Sequence, residues 1–150
     1  MTETYIIDGY NFIRASALFK NMRNDMESAR NKLINTVAEL SKYENCRISA
    51  VFDGKGLPEQ YPEHDGFSII FSGAGTDADS VIEKMVYNAK ERLSLIVVTN
   101  DAHIRDIVRG AGARVMDTSH FEKLIQTMEK DYGDILTKRS LRAKILDQNG

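Results

Sequence analysis

Short apolar runs alternate with helix-periodic segments along this chain, and that alternation limits the folds open to it. Between the runs, apolar residues recur every three or four positions and predict helices. Strands that alternate with helices favour a mostly parallel sheet, covered on both faces through right-handed crossovers. We therefore predict a three-layer α/β fold with a central, mostly parallel sheet of about five strands. The predicted strands are Tyr5–Ile7, Ile48–Phe52, Phe67–Phe71, Leu93–Val98 and Arg114–Met116.

The predicted helices cover Asp25–Tyr43, 76–89, 104–111 and a last segment from Ser119 onward. Two of them show an acidic residue three positions after a hydroxyl residue, which is typical of a capping box. On that basis we place the helix starts at Thr76, followed by Asp79, and at Ser119, followed by Glu122.

Composition and length indicate one folded domain. The chain has 150 residues, of which 42% are hydrophobic and 28% charged, as in ordinary folded proteins. Its single cysteine, Cys46, cannot form an internal disulfide, and no Cys/His cluster indicates zinc. The start, MTETYIID, lacks a signal-peptide pattern, and apolar runs such as 95–98 are too short to span a bilayer. We therefore expect a cytoplasmic protein.

The charged residues bear on domain limits and on partners. We assign residues 1–132 to the main domain and 133–150 to a basic C-terminal tail, either an added helix or a frayed end. The tail carries Lys138, Arg139, Arg142 and Lys144. The net charge of the chain is −2. Since nonspecific nucleic-acid binders usually carry a basic surplus, any nucleic-acid contact here should be local or mediated by a bound cation.

Acidic residues follow four consecutive predicted strands. Ligands of parallel α/β sheets bind beyond the carboxyl ends of the strands, so these exits are the positions of interest. One acid would mean little in a chain with 22 of them, but four successive exits are hard to ascribe to chance. The exits carry Asp8 with Asn11, then Asp53, then Asp77 with Asp79, and finally Asp101.

Carboxylates that converge on one place repel one another unless a cation lies between them. Mg²⁺ and Mn²⁺ prefer oxygen ligands, and Mg²⁺ commonly combines one or two carboxylates with water and substrate phosphates. Such ions support phosphodiester hydrolysis, because they activate a bound water and neutralise charge at the phosphate. The sequence therefore predicts metal-dependent chemistry at this edge.

Four segments resemble the NYN-domain ribonucleases of the YacP-like family, within the wider PIN-like nuclease group. They cover Ile6–Ile13 (IIDGYNFI), Val51–Gly54 (VFDG), Thr76–Val86 and Val97–Ala113, in order, within about residues 4–130. The resemblance implies a PIN-like fold, Mg²⁺ or Mn²⁺ dependence and endonucleolytic cleavage of RNA. It also implies mRNA as the RNA substrate, and it leaves the ribosome open as a partner. His103 stands where many PIN-like proteins carry a further acid, so the number of metal ions stays open.

Carried over to this chain, the resemblance marks as catalytic the residues at the strand exits: Asp8, Asn11, Asp53, Asp77, Asp79 and Asp101. The metal ligands would be Asp8, Asp77, Asp79 and Asp101, with Asp77 slightly preferred over Asp79 because acids in a first helical turn are stabilised without any function. We expect Asn11, Arg105 and Arg109 to contact RNA; for the arginines, a solvated helix face is the alternative.

A non-catalytic RNA- or ribosome-binding module on the same fold is the main alternative. A signalling receiver domain would need an acidic pair at the first strand exit, and an aspartyl phosphatase would need an acid where Tyr10 stands. The glycine run 72–76 either frees a sharp turn or cradles a phosphate. We expect the loop from Lys55 to Gly66, which holds Pro58 and Pro62, to form a mobile flap.

Overall fold

The computed structural model describes residues 2–55 and 66–149, and its strands form one parallel five-stranded sheet. The strand order is β3-β2-β1-β4-β5. The chain runs outward from β1 to β3 and then returns to place β4 on the other side of β1, so the order reverses between β1 and β4. The predicted α/β class and parallel sheet are confirmed. The strands are β1 (Thr4–Asp8), β2 (Arg47–Phe52), β3 (Phe67–Phe71), β4 (Leu95–Val98) and β5 (Arg114–Met116).

Five α-helices cover the two faces of this sheet. They are α1 (Gly9–Ala15), α2 (Met26–Tyr43), α3 (Ala78–Asn88), α4 (Ala102–Gly110) and α5 (Thr118–Asn149). Among the residues that the structure describes, the chain also forms two short 3-10 helices, Ala17–Met22 and Arg92–Ser94. The second of them takes up Leu93, so β4 begins two residues later than predicted. Helix α1 was not predicted, because Asp8-Gly9 is a common turn pair and the helix has only seven residues.

Two separate cores lie on opposite faces of the sheet. Side chains alternate along a strand, so Tyr5 and Ile7 of β1 join one core while Ile6 joins the other. The first core contains residues of α1, α2 and α5; the second contains residues of α3 and α4. This arrangement gives the three layers expected from the sequence, and it holds the carboxyl ends of the strands at one edge.

Two predicted helix starts are wrong. Helix α3 is capped by Asp77, whose Oδ1 accepts a hydrogen bond from the Ser80 N–H at 2.8 Å. At α5, Asp117 accepts from the His120 N–H at 2.8 Å, so Ser119 does not cap the helix. A capping box at either site would need the hydroxyl residue to face the helix end, and a neighbouring aspartate fills that place instead.

Glu122, the expected partner of Ser119, binds a different part of the chain. Its Oε1 accepts hydrogen bonds from the Ser16 hydroxyl and, at 2.7 Å, from the Ala17 N–H. Ser16 is fully buried at the end of α1. The contact therefore ties α5 to the C-terminal end of α1, the helix that follows Asp8.

Helix α5 runs without a break through position 132, the end of the main domain in the sequence-based assignment. Its first half packs through Phe121, Ile125 and Met128 against the sheet. Farther along, Leu141, Ile145 and Leu146 are exposed, as are Arg142 and Lys144. Over the described ranges 2–55 and 66–149, no helix has the length and apolar character needed to cross a membrane.

Candidate metal and phosphate site

Asp8 is the central residue of the predicted site. It ends β1 and directly precedes α1, and only 7% of its surface is exposed. The sheet register pairs Ile7 with Val98, which brings Asp8 level with Thr99 at the end of β4. Asp8 therefore lies where the strand order reverses, the usual ligand position in open α/β sheets.

The environment of Asp8 disfavours its negative charge. Burial, followed by the charge of Asp79, raises the pKa of Asp8 from its usual 3.8 to about 6. Asp53 and Asp101 raise the pKa further, while a hydrogen bond from Thr99 opposes the shift. Carboxylates from all four strand exits thus act on one another, as the sequence predicted. Asp8, Asp53, Asp79 and Asp101 form the acidic cluster, the name used for them below.

Thr99 connects the two central strand exits. Its hydroxyl lies 3.3 Å from Asp8 Oδ2 and 3.3 Å from Asn11 Oδ1, and it accepts a hydrogen bond from the Asp101 N–H at 3.1 Å. Thr99 is fully buried. Sequence reasoning missed this residue, because only the strand order shows that the positions after β1 and β4 are neighbours.

Asn11, on α1, is hydrogen-bonded to the segment that follows β4. Its Oδ1 accepts a hydrogen bond from the Asn100 N–H at 3.1 Å. A backbone N–H can only donate, so the amide orientation of Asn11 is fixed and its NH₂ group faces away from that contact. Asn100 in turn accepts from the Thr118 N–H at 2.9 Å, which anchors the start of α5. Asn100 therefore caps the start of α5.

Asp53 and Asp101 also serve as helix caps. Asp53 Oδ1 accepts a hydrogen bond from the Ala78 N–H at 2.5 Å, at the first residue of α3. Asp101 Oδ1 accepts from the Ile104 N–H at 3.1 Å, in the first turn of α4. Each acid thereby satisfies a backbone donor and stabilises a positive helix end. These contacts fix where both carboxylates lie relative to Asp8.

The two acids at the third exit occupy different environments. Asp79 is partly buried, and burial, followed by Asp101, Asp77 and Asp53, raises its pKa. Asp77 is exposed and caps α3, and hydrogen bonds from Ser80 lower its pKa. Asp79 rather than Asp77 acts on Asp8. The structure thus brings Asp79 into the acidic cluster and leaves Asp77 at its margin, whereas the sequence slightly favours Asp77 as the metal ligand.

The donor set suits a hard cation, although the side chains do not form a complete cage. All four members of the acidic cluster offer carboxylate oxygens, and the largest charge effects on Asp8 come from other acids. In the described part of the chain, no three His, Cys, Asp or Glu side chains are close enough to bind one ion together. Mg²⁺ fits such a site, since it often uses one or two carboxylates and fills its other positions with water and phosphate.

The arginines predicted to contact RNA lie on α4, outside the acidic cluster. Arg105 is partly exposed, and its charge helps to lower the pKa of Asp117 after the larger effects of His120 and Ser119. Arg109 is exposed in the last turn of α4. His103, also exposed on α4, lies near enough to Asp79 to oppose the rise of its pKa. The RNA contacts of both arginines stay a prediction.

The glycine run before α3 is hydrogen-bonded to Gly54, which follows β2. The Gly54 N–H donates to Ser72 Oγ at 2.9 Å, and the Gly73 N–H donates to the Gly54 carbonyl at 2.9 Å. Gly54 and Gly73 have φ angles of 96° and 82°, which favour glycine. The glycines of the run therefore allow a sharp turn of the backbone. Most of the loop expected to form a flap, residues 56–65, lies outside the described residues.

Comparison with known proteins places the chain in a family. The YacP-like NYN domain family matches residues 5–149. The uncharacterized protein YacP of Bacillus subtilis (strain 168) is 31% identical over 130 residues, which cover 83% of this chain and 76% of that protein.

Two crystal structures of Rae1 (YacP) from Bacillus subtilis share the fold, each with a TM-score of 0.77. A point mutant is 27% identical and is matched over 93% of this chain and 84% of its own. The other structure is 28% identical, with 91% and 81% covered. The chain therefore belongs to the YacP-like NYN domain family, whose fold is of the nuclease type.

Proposed function

We propose that the chain is a Mg²⁺- or Mn²⁺-dependent endoribonuclease that hydrolyses RNA phosphodiester bonds. One observation carries the proposal: the carboxylate of Asp8 lies where the strand order reverses, and burial, followed by the charges of acids from the three other exits, raises its pKa to about 6. A buried carboxylate surrounded by other acids does not stabilise a fold, so its presence favours a functional explanation. Membership of a family with a nuclease-type fold supports the same conclusion.

The proposed roles follow from the contacts of each residue. Asp8 and Asp79, whose charges are least favoured by their surroundings, would bind the ion directly, and Asp101 would reach it through a water molecule. Asp77 was also predicted as a ligand, and its exposed position limits it to a contact through water. When bound, the ion would supply an activated water and charge neutralisation at the phosphate. Asp53 would orient water at the rim of the site.

Asn11 and Thr99 prepare the site without entering the reaction. The Asn11 carbonyl is engaged by the Asn100 N–H, which leaves its NH₂ group as a donor for a phosphate oxygen. Thr99 holds Asp8, Asn11 and the backbone of Asp101 in one arrangement. The chain's own residues would therefore position both the carboxylates and the substrate before RNA binds.

No covalent intermediate is part of the proposal. Burial, followed by the charges of Glu44 and Glu3, raises the pKa of the Cys46 thiol to about 11, which suppresses its nucleophilic thiolate. Cys46 precedes β2, at the opposite edge of the sheet from the acidic cluster. Hydrolysis by water remains the reaction that these residues support.

We extend the proposal to mRNA as substrate, to the ribosome as a partner that presents it, and to action in the cytoplasm. These finer assignments rest on the resemblance of the four sequence segments to YacP-like ribonucleases. Arg105 and Arg109 would contribute contacts to the RNA backbone from α4, since guanidinium groups bind phosphate well.

A cleavage assay tests the proposal. Purified protein is incubated with an end-labelled single-stranded RNA in Mn²⁺, in Mg²⁺ and in EDTA, alongside Asp8→Asn and Asp77→Asn. We expect cleavage by the parent only with a divalent ion, loss of at least about 100-fold in Asp8→Asn, and a smaller loss in the exposed control Asp77→Asn. RNA binding without cleavage by the parent would instead support the non-catalytic module, and equal cleavage by Asp8→Asn would refute the mechanism.

A further inference from the structure

A second group of side chains lies beside the acidic cluster and takes no part in the roles above. It combines two arginines with two aromatic rings: Arg14 lies over the ring of Tyr10, with 5.8 Å from its Cζ to the ring centre, and Arg30 lies over the ring of Phe71 at the same distance. Arg30 Nη1 also donates a hydrogen bond to the Tyr10 hydroxyl at 3.0 Å. Tyr10, Arg14, Arg30 and Phe71 are called the aromatic–arginine surface below.

The aromatic–arginine surface adjoins the acidic cluster through the chain itself. Tyr10 follows Asp8 by two residues, and its ring contacts Phe52 edge-on at 5.1 Å. Phe52 directly precedes Asp53 and stacks on Phe71 at 5.8 Å between ring centres. A series of contacting rings therefore reaches from the exit of β1 to the exit of β3.

We infer that the aromatic–arginine surface binds a nucleobase of single-stranded RNA next to the phosphate that lies at the acidic cluster. The inference rests on the proposed nuclease function and adds a subsite to it. Ring faces and guanidinium planes both stack on bases, and arginine also pairs with phosphate. Tyr10, Arg30 and Phe71 are partly exposed and Arg14 is exposed, whereas Phe52 beneath them is fully buried.

The charge balance of the chain favours a contact of this kind. A net charge of −2 and an acidic cluster both repel an RNA backbone, so binding cannot rely on a broad basic face. Base stacking contributes affinity that depends little on net charge. Two arginines at the side of the acidic cluster would also offset the local repulsion of the adjoining phosphates.

Another tyrosine–arginine pair in the chain shows what a purely structural pair looks like. Arg92 lies over the ring of Tyr87 at 5.6 Å, and its guanidinium donates to the backbone carbonyls of Tyr87 and Ala111. Tyr87 is eight residues beyond Asp79 on α3, about 12 Å along the helix axis. The pair at Tyr87 therefore serves as a matched control at a distance from the acidic cluster.

The test uses the absence of tryptophan from the sequence. Tyr10→Trp and, as control, Tyr87→Trp each introduce one indole whose fluorescence is quenched by a stacked base. Both are made with Asp8→Asn to prevent cleavage and are titrated, in Mg²⁺, with a short oligouridine and with an abasic strand of the same length. We expect oligouridine to quench Trp at position 10, while the abasic strand and the control variant show little change.

Two further variants measure the size of the contribution by fluorescence anisotropy. Arg14→Ala, on an exposed side chain, and Tyr10→Leu should each weaken oligouridine binding about 10-fold and affect the abasic strand much less. The inference would be overturned if both strands quenched the fluorescence equally, if saturating RNA caused no quenching, or if the strand did not bind at all. Unchanged affinity in Arg14→Ala and Tyr10→Leu would overturn it as well.

The outcomes also separate the inference from the proposed function. Divalent-dependent cleavage by the parent without quenching at position 10 would reject the nucleobase subsite alone. Base-dependent quenching with no cleavage by the parent would keep the subsite as an RNA contact and reject the nuclease.

Discussion

Replacement of Asp8 by asparagine should stabilise the protein while it abolishes the proposed activity. The raised pKa of Asp8 means that its ionised form is disfavoured in the folded state. A change from 3.8 to about 6, at about 1.4 kcal/mol for each tenfold change in proton affinity, corresponds to about 3 kcal/mol. Asparagine has nearly the same shape and carries no charge, so the free energy of unfolding at pH 8 without divalent ions should rise by up to about 3 kcal/mol.

The pH dependence of this gain has a definite sign. Because the folded pKa of Asp8 is raised, its stabilising contribution is complete below pH 3.8 and is lost as pH rises through about 6. Asp8→Asn has no ionisable group at position 8, so its stability does not fall in this pH range for the same reason. The difference in stability between variant and parent should therefore grow by about 1.4 kcal/mol between pH 5 and pH 8 and change little above that.

Urea unfolding in EDTA at several pH values measures the difference directly. In thermal unfolding, 3 kcal/mol corresponds to about 6–12 °C for a chain of this size. Added Mn²⁺ should raise the melting temperature of the parent more than that of Asp8→Asn, since an ion that binds only the folded state stabilises it. Asp77→Asn is the control, because hydrogen bonds from Ser80 lower the pKa of Asp77 and its replacement brings no such gain.

A stability of Asp8→Asn equal to or below that of the parent at pH 8 in EDTA would refute this reasoning. So would a difference between the two proteins that shrinks from pH 5 to pH 8. Either result would mean that the negative charge of Asp8 is compensated in the folded state, and the argument for a cation site would lose its main support.

Three further predictions concern single residues. Thr99→Val should reduce the rate of RNA cleavage by about 10-fold or more, because the Thr99 hydroxyl joins three groups of the site. Thr99→Ser, which keeps the hydroxyl, should cleave at a rate close to that of the parent. Equal rates for Thr99→Val and the parent in a gel-based cleavage assay would contradict this prediction. Gly9→Ala should cost about 1–3 kcal/mol in urea unfolding, because its new methyl group would overlap the ring of Phe52; unchanged stability would exclude that close approach. Cys46 in the folded protein should react with a thiol reagent at pH 8 at least about 100-fold more slowly than in the unfolded chain, and fast labelling would contradict its burial. Cys46→Ala should cleave RNA at the rate of the parent, and an inactive variant would show that the thiol has a role in the reaction.

Periodicity in the sequence predicted the larger elements well. Phe67–Phe71 and Arg114–Met116 form strands at the predicted residues, and the helix ending at Tyr43 was placed to within one residue. Phe67–Phe71 and the helix bury apolar side chains in the cores, and Val115 and Met116 pack partly buried against them, so the apolar pattern of these segments is set by the core. Short elements that begin at turn-like residues gave no such signal, and α1 was missed because Asp8-Gly9 resembles a turn.

Convergence of the acids was predictable, but their individual contacts were not. All four exits share one edge because every strand is parallel, and that much follows from the alternation of elements. Which acid faces Asp8 depends on how α3 begins. A cap at Asp77 turns that residue toward its own helix and brings Asp79 toward the acidic cluster, and a difference of one residue in the helix start decides the outcome.

Three of the acids at the strand exits have a structural use as well as a proposed catalytic one. Asp53, Asp77 and Asp101 each accept a backbone N–H at the start of a helix, so their presence alone would not require a ligand. Asp8 accepts no such bond at the start of α1, and its burial makes its charge costly. Since asparagine caps helices about as well as aspartate, Asp101→Asn should keep the fold and remove only a charge. A loss of cleavage in Asp101→Asn at unchanged stability would then show that the capping acids also act in the reaction.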